Sequence, residues 1–165
     1  MRFKVLGLMA ALVLVAGCPS PDATTTVDTG GDVTPTPVPE ASMSAQEDLV
    51  INVGDRVFFD FDKSDLRPDA IDTLNRQSDW MSANGSITVA IEGHCDERGT
   101  REYNLALGER RAAAAKKYLE SMGVGGGRME TVSYGKERPA VLGSNEAVWA
   151  QNRRAVMVVK SGELS

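Results

Sequence analysis

A pair of opposite charges, Asp96 and Arg111, offers the clearest chemistry in this sequence. Asp96 follows an apolar alternation that reaches Ile91, and Arg111 lies about three turns into a helix pattern that begins at Arg101. An anion and a cation held at one strand-to-helix turn match a zwitterionic ligand such as an amino acid head group, which carries an ammonium and a carboxylate. The pair therefore favours a binding protein over an enzyme.

Hydrophobic periodicity predicts the elements that position this pair. We predict strands at 57–61, 87–91, 129–134 and 155–159, and helices at 68–83, 101–122 and 146–152. Pro68 suits the first turn of its helix, and Gly123 ends the long one. The order β-α-β-α-β-(α)-β predicts an α/β fold (an α+β sandwich) with a mixed four-stranded sheet packed against helices.

The long helix indicates how the cation is presented. One stripe of small and apolar residues should face the sheet, namely Leu105, Gly108, Ala112, Ala115, Leu119 and Met122. Asn104, Leu107 and Arg111 lie about a quarter turn away from this stripe. The spacing therefore predicts that Arg111 points along the rim between the helix and the loop that contains Asp96.

Residues 1–17 have the pattern of a lipoprotein signal peptide. Arg2 and Lys4 precede an apolar run that is shorter than the about 20 residues that span a bilayer. The run ends in LVAGC at 14–18, which resembles the bacterial lipobox, so we predict that Cys18 is lipidated. An ordinary signal peptide with a chance cysteine is the alternative. Pro19, where an aspartate would signal inner-membrane retention, favours the outer membrane.

Composition divides the rest of the chain into two parts. Residues 18–46, which are acidic and rich in Pro and Thr, are predicted to be a disordered linker, and residues 47–165 a folded domain. Residues 18–55 contain seven acidic and no basic residues, whereas 56–165 contain sixteen of each. A nucleic-acid-binding protein shows the opposite asymmetry, so we predict no nucleic-acid partner.

The run His94-Cys95-Asp96-Glu97 could suggest a metal site, but adjacent strand residues point to opposite faces and cannot converge on one ion. We therefore predict no metal and no cofactor. His94 is interpreted as a structural hydrogen-bonding residue. With Cys18 lipidated, Cys95 has no partner for an intramolecular disulfide; it is either a packing residue or a redox-sensitive thiol.

Six short motifs of this chain have an arrangement that is known from other proteins. They are FDFD at 59–62, EGH at 92–94, DERGT at 96–100, REYNLALGERRA at 101–112, SYG at 133–135 and NRRAV at 152–156. Together they make residues 56–160 resemble the OmpA-like domain family, and within it the lipoproteins of the Tol–Pal system. The family pattern is met by Asp96, Gly99, Asn104, Leu107, Arg111 and Ala112. Cys95 departs from it, because alanine is usual there, and so do the glycines at 125–127, which replace a tighter turn containing proline.

The resemblance implies non-covalent binding of peptidoglycan through the meso-diaminopimelate of its stem peptides. It implies that Asp96 receives the ligand's ammonium and that Arg111 receives its carboxylate, for which a planar guanidinium is suited. By the same resemblance, six further residues line the site: Phe61, Asp62, Arg98, Thr100, Asn104 and Leu107.

The resemblance also implies a location and partners. The domain would face the periplasm from the outer membrane and tether that membrane to the wall, acting in envelope integrity and cell division. Peptidoglycan, the propeller protein TolB and other Tol–Pal components would be its partners, with TolB on a surface that overlaps the wall site. Another OmpA-like wall anchor, such as a motor stator or an adhesin, is an alternative.

A peptidoglycan-acting hydrolase is the alternative from another class of protein. It would need a metal, a nucleophile paired with histidine, or two separated carboxylates in a cleft. Arg98 and Arg111 should lower the pKa values of the nearby carboxyl groups, which disfavours a general acid. We therefore predict that the protein is not an enzyme.

Overall fold

The computed structural model describes residues 43–165, so the predicted signal peptide, Cys18 and most of the predicted linker lie outside the described residues. The strands are Arg56–Phe58 (β1), Thr88–His94 (β2), Met129–Gly135 (β3) and Arg154–Ser161 (β4). The helices are Ala45–Asp48 (α1), Pro68–Ala83 (α2), Arg101–Ser121 (α3) and Glu146–Asn152 (α4). Within this part of the chain, no helix is both long and apolar enough to cross a membrane.

The strands form one mixed four-stranded sheet, as predicted, and their order in it is β1-β4-β2-β3. Strand β2 pairs in parallel with β3 and antiparallel with β4, so it lies between two partners. Its first residue, Thr88, pairs with Ser161, and Met43 and Ser44 share a surface cleft with the residues that follow Ser161. The described chain therefore begins near the start of β2, whereas the loop at 95–100 follows its other end.

The core joins the sheet to α2 and α3. Leu74 of α2, Ile91 of β2, Leu119 of α3 and Met157 of β4 belong to one buried hydrophobic cluster. Each such side chain contributes about 1.5–3 kcal/mol when it is fully removed from water. This packing fixes α3 against β2 and so determines where the 95–100 loop between them can lie.

Two glycines allow α3 to contact β2 directly. A Cβ atom on Gly93 would lie 1.8 Å from the carbonyl oxygen of Gly108, and one on Gly108 would lie 2.3 Å from Ser133 Oγ. The backbones of strand and helix are therefore in contact at this point. Gly93 is three residues before Asp96, and Gly108 is three residues, about one helical turn, before Arg111. The contact between the two backbones therefore sets the distance between the two charged residues.

We expect Gly93→Ala to lower the free energy of unfolding by about 1–3 kcal/mol, because the methyl group has no space and the helix must move. Denaturation in urea measures this change. Gly127→Ala is the matched control, since nothing lies within 4 Å of its added Cβ. Equal stability of the two variants would show that strand and helix do not touch at Gly93.

The predicted bounds of α2 and α4 are confirmed, and the bounds of the other elements shift. The first strand is shorter than predicted and ends at Phe58, because the chain turns at Asp60–Lys63 and Asp62 adopts a left-handed φ of 58°. Phe61 is consequently 56% exposed and not part of a strand. Strands β2 and β4 continue to His94 and Ser161, beyond the predicted ends, because both are paired there.

The first helix was not predicted and begins before residue 47. Ser44 Oγ accepts a hydrogen bond from the backbone N–H of Glu47, whose carboxylate accepts one from Ser44 in return. This capping box starts α1, which continues into a π-helical stretch at Leu49–Val53. The indole of Trp80 donates to Asp48 and joins the segment to α2.

The stripe on α3 is confirmed in its centre only. Gly108, Ala112, Ala115 and Leu119 are buried, whereas Leu105 is half-buried. Met122 is exposed because it caps the C-terminus of the helix, where Gly123 with φ 97° redirects the chain. The segment with the glycines at 125–127 contains a short 3-10 helix at Gly126–Arg128.

Candidate functional site

A pocket of about 170 Å³ opens where β2 ends and α3 begins. Its walls come from the β1–α2 loop, the 95–100 loop and the first three turns of α3, and its lining residues are Phe61, Asp62, Cys95, Asp96, Arg98, Gly99, Tyr103, Asn104, Leu107 and Arg111. Seven of the eight predicted site residues are among them. Thr100 is not, because its hydroxyl accepts a hydrogen bond from the backbone of Tyr103 and caps α3.

Arg111 is fully buried, which corrects the prediction of a rim position. Its guanidinium donates to three backbone carbonyl oxygens, those of Lys63 (2.9 Å), His94 (2.8 Å) and Asp60 (3.1 Å). Arg111 lies deeper than its spacing from the apolar stripe suggests, because its acceptors belong to the Asp60–Lys63 turn and to the end of β2.

The charge of Arg111 is not neutralised by a carboxylate. None of the ion pairs among residues 43–165 includes this side chain. Burial lowers the pKa of Arg111, yet a guanidinium stays protonated in proteins. Three of its five N–H groups are taken by the carbonyls, and the Cys95 thiol also contacts the guanidinium, so at most two N–H groups remain for an anion in the pocket. A carboxylate on a ligand is such an anion.

Asp96 is the second charged group of the pocket, and it is 4% exposed. Its Oδ1 accepts from the backbone N–H and Nε of Arg98, both at 3.1 Å, and its Oδ2 accepts from Arg98 Nη2 at 2.6 Å. Arg153 Nη1 lies 3.5 Å from the same Oδ2. Burial alone would raise the pKa of Asp96, but the hydrogen bonds from Arg98, with help from Arg153, outweigh it and hold the pKa below its usual range. The carboxylate is therefore ionised near neutral pH.

Arg98 covers the carboxylate of Asp96 from the solvent side. Its guanidinium lies between two aromatic rings, 4.0 Å from the centroid of Phe61 and 4.0 Å from that of Trp149. A cation over an aromatic face is attracted to it by about 0.5–2 kcal/mol, depending on exposure. The aromatic pair therefore stabilises Arg98 at the mouth of the pocket, and Trp149 brings α4 to the edge of the site.

Three lining residues were not predicted, and one of them was detectable. Tyr103 lies four residues before Leu107 and eight before Arg111, so helical spacing places all three on one face. Its hydroxyl donates to Asp62 across the pocket. Gly99 adopts φ 87° where the loop turns toward α3.

Cys95, the third of them, packs as a small apolar side chain. It is buried, and its thiol donates to the carbonyl oxygen of Asn104 at 3.3 Å. Burial raises the pKa of the Cys95 thiol, which keeps it protonated and unreactive near neutral pH. These observations favour the packing interpretation over a redox-sensitive thiol.

His94 is not the hydrogen-bonding residue that was predicted. Among the described residues, neither ring nitrogen has a hydrogen-bond partner, although Glu92 Oε2 lies 3.6 Å from Nε2. The ring lies beside that of Tyr134, at 5.6 Å between centroids. Burial, together with the positive charge of Arg154, lowers the pKa of His94 to about 4. His94 is therefore neutral at pH 7. Within residues 43–165, the metal-binding side chain types do not gather in groups of three that could hold an ion.

Comparison with known proteins agrees with the motifs. The OmpA family model matches residues 58–153, which is more than half of the chain. This chain belongs to the OmpA family. A peptidoglycan-associated lipoprotein of Agrobacterium fabrum is 46% identical over 159 residues, covering 94% of this chain and 86% of the relative. One of Rhizobium meliloti is 55% identical over 119 residues, covering 72% and 68%. Within the OmpA family the chain groups with these lipoproteins.

Solved structures show the same fold. The peptidoglycan-associated lipoprotein of Burkholderia pseudomallei matches with a TM-score of 0.63 and 44% identity, covering 64% of this chain and 90% of that one. The C-terminal domain of Helicobacter pylori MotB matches with a TM-score of 0.60 at 17% identity, covering 65% and 84%. The second likeness concerns the fold alone. The predicted mixed sheet with helices, an OmpA-like fold, is confirmed.

Proposed function

We propose that the chain is an outer-membrane lipoprotein that binds peptidoglycan non-covalently, through the meso-diaminopimelate of its stem peptides. The observation that carries this proposal is the buried guanidinium of Arg111, which has no carboxylate partner among the described residues and faces a pocket that also holds ionised Asp96. A ligand with one carboxylate and one ammonium on the same carbon satisfies both charges. The free amino acid centre of diaminopimelate in a stem peptide has both.

The size and walls of the pocket support the same ligand. At about 170 Å³ it is smaller than the about 300–1,000 Å³ of sites for drug-sized molecules, and it suits one amino acid head group. Leu107 and Phe61 give it apolar walls beside the charges, and these fit a methylene chain. The rest of the polymer stays outside.

In this role the domain links two layers of the cell envelope. Lipidated Cys18 holds the chain in the outer membrane, residues 18–46 form the linker, and the domain at 47–165 reaches the wall from the periplasmic side. Many weak contacts along a polymer make such an anchor strong. TolB and other Tol–Pal components are the proposed protein partners in envelope integrity and cell division, with TolB on a surface that overlaps the pocket.

The proposed role needs no catalysis. Arg98 and Arg153 keep the carboxyl group of Asp96 ionised near neutral pH, so it has no proton to donate as a general acid. The proposal therefore describes a binding site only, with no cofactor.

Binding to two types of purified sacculi tests the proposal. We expect the full chain, purified in detergent, to bind saturably to sacculi that contain meso-diaminopimelate. Sacculi with lysine at the same position keep the side-chain ammonium but lack its carboxylate, so they should bind about tenfold to a hundredfold more weakly. Free meso-diaminopimelate should compete, and Nα-acetyl-lysine amide, which keeps the side-chain ammonium but has no free carboxylate, should not. Equal binding to both wall types would contradict the assignment.

A further inference from the structure

Arg153 lies behind the pocket and does not line it. It stands between α4 and β4, and its side chain is 7% exposed. The guanidinium donates to three different parts of the fold: Phe59 O at 3.1 Å, Asp96 Oδ2 at 3.5 Å and Glu146 Oε1 at 2.7 Å. Arg153 therefore connects Asp96 to the end of β1 and to the first turn of α4.

Asp96 has two cationic partners, Arg98 and Arg153, and the second of them is held more firmly by the rest of the fold. The side chain of Arg98 is 30% exposed and has a second carboxylate within reach, since its Nη1 lies 3.9 Å from Glu146 Oε2. The side chain of Arg153 is held on three sides. Rearrangement at the mouth of the pocket can therefore move Arg98 and leave Arg153 in place.

A ligand ammonium needs acceptor sites that Arg98 now occupies. A carboxylate offers about four lone-pair sites, and Asp96 already accepts three hydrogen bonds from Arg98 and the contact from Arg153. The side-chain N–H groups of Arg98 are the ones at the pocket mouth. Binding of an ammonium therefore exchanges Arg98 for the ligand, and Asp96 then depends on its remaining partner.

We propose that Arg153 is a positioning residue, which holds the Asp96 carboxylate toward the pocket and neutralises part of its charge while Arg98 gives way to the ligand's ammonium. This inference rests on the proposed function, because it concerns the same site. It assigns a role in the binding site to α4 and to the first arginine of the NRRAV motif.

The pH dependence follows from the groups that surround Asp96. These are Arg98, Glu97 and Cys95 of its own loop, Arg111 of α3, Arg153, and Glu146 of α4, which contacts both Arg98 and Arg153. Loss of Arg153 removes one of the contacts that lower the pKa of Asp96, so that pKa rises. Binding, which needs the ionised carboxylate, should then be lost at a higher pH than in the wild type.

The neighbouring Arg154 provides a matched control. It is as buried as Arg153, but it donates to the carbonyls of Asn152 and Arg138 and does not contact Asp96. We compare Arg153→Gln, Arg153→Lys and Arg154→Gln in the full chain, measuring binding to diaminopimelate sacculi from pH 3 to 8 and melting temperature. Carboxyl ¹³C resonances of labelled aspartate report the titration of Asp96 without ligand.

We expect Arg153→Gln to weaken binding at pH 7 by about tenfold or more and to move its acid midpoint upward. Arg154→Gln should change the affinity and the acid midpoint only as far as it lowers the melting temperature. Arg153→Lys keeps the positive charge but not the paired N–H groups of a guanidinium, so its affinity should lie between those of Arg153→Gln and the wild type. The proposal is overturned if both glutamine variants lose binding equally with an unchanged midpoint, or if Arg153→Gln binds normally. If Arg153→Gln does not fold, the affinity and acid midpoint of Arg153→Lys are compared with those of Arg154→Gln, and the same outcomes support or overturn the proposal.

Failure of the proposed function is distinguishable from failure of this inference. If the wild-type chain does not bind sacculi, the assignment of the ligand is wrong. The ¹³C titration then decides the role of Arg153 alone: a raised pKa of Asp96 in Arg153→Gln supports it, and an unchanged pKa overturns it.

Discussion

Replacement of Asp96 by asparagine should weaken binding to diaminopimelate sacculi by about 3 kcal/mol, roughly a hundredfold, with a smaller effect on folding. Asparagine keeps the shape of the side chain but presents no negative charge to the ligand's ammonium. Folding should weaken by about 1–2 kcal/mol, because Arg98 and Arg153 lose a charged acceptor. Both can still pair with Glu146.

Glu97→Gln is the matched control for this prediction. Glu97 is the adjacent carboxylate of the same loop, but its Oε1 accepts from Trp149 Nε1 and it does not line the pocket. Binding by this variant should match that of the wild type. A hundredfold loss in both variants would mean that the net charge of the loop, and not a specific contact of Asp96, governs binding.

Acid should act on Asp96 in a defined direction. Its pKa in the folded protein lies below the unfolded value of about 3.9, so its contribution to stability is present above that value. The contribution is lost as the pH falls through the folded pKa. In the Asp96→Asn variant this part of the acid sensitivity should be absent, which a series of melting curves below pH 5 measures. Identical acid profiles would contradict the lowered pKa.

Arg111→Ala should lower the free energy of unfolding by about 3–5 kcal/mol, the largest stability effect that we expect in the site. The change leaves one buried and two partly buried carbonyl oxygens without their donor, and it opens a cavity beneath the Phe59 ring, which now lies 5.2 Å from the guanidinium carbon. An arginine on the rim, as the sequence predicts, would leave stability nearly unchanged. Urea denaturation distinguishes the two cases.

Arg110→Ala separates this effect from a general loss of positive charge on α3. Arg110 is the neighbouring, exposed arginine, and its guanidinium lies 5.8 Å from the Tyr103 ring. Its replacement should lower the free energy of unfolding by less than about 0.5 kcal/mol.

Because Arg111→Ala affects folding and binding together, loss of binding in that variant does not by itself locate the ligand. Asp96→Asn is the cleaner test of the site.

The sequence predicts which residues line the pocket better than it predicts how deeply each of them is buried. Seven of the eight proposed site residues line one pocket. Five of them come from one strand-to-helix turn and the helix that follows it, which are local patterns, whereas Phe61 and Asp62 come from the β1–α2 loop and were expected from the family resemblance alone. The depth of Arg111 is not local: its guanidinium reaches carbonyls of Lys63 and Asp60, 48 and 51 residues earlier in the chain. Helical periodicity gives the direction of a side chain but not which distant backbone it meets.

The fold shows the same division between local and distant causes. The bounds of α2 and α4 follow from Pro68 at an N-terminus and from a capping Asn145, whose side chain accepts from Val148 N. The end of β1 depends on a left-handed residue, Asp62, in a run that otherwise reads as a continuing strand. The link between Arg153 and Asp96 crosses 57 residues, and no short spacing could indicate it.

The placement of β2 has a mechanical consequence for a protein that ties two structures together. The described chain begins beside the start of this strand, and the proposed wall contact lies beyond its end, about 20 Å away along seven residues. Tension between linker and wall would enter at α1, which Gln46 joins to Val159 of β4, and would be directed along β2, which has hydrogen-bonded neighbours on both sides. Such a pull shears the hydrogen bonds of both ladders together instead of opening them one at a time. The domain is thus oriented to resist force in the direction in which its proposed role would apply it.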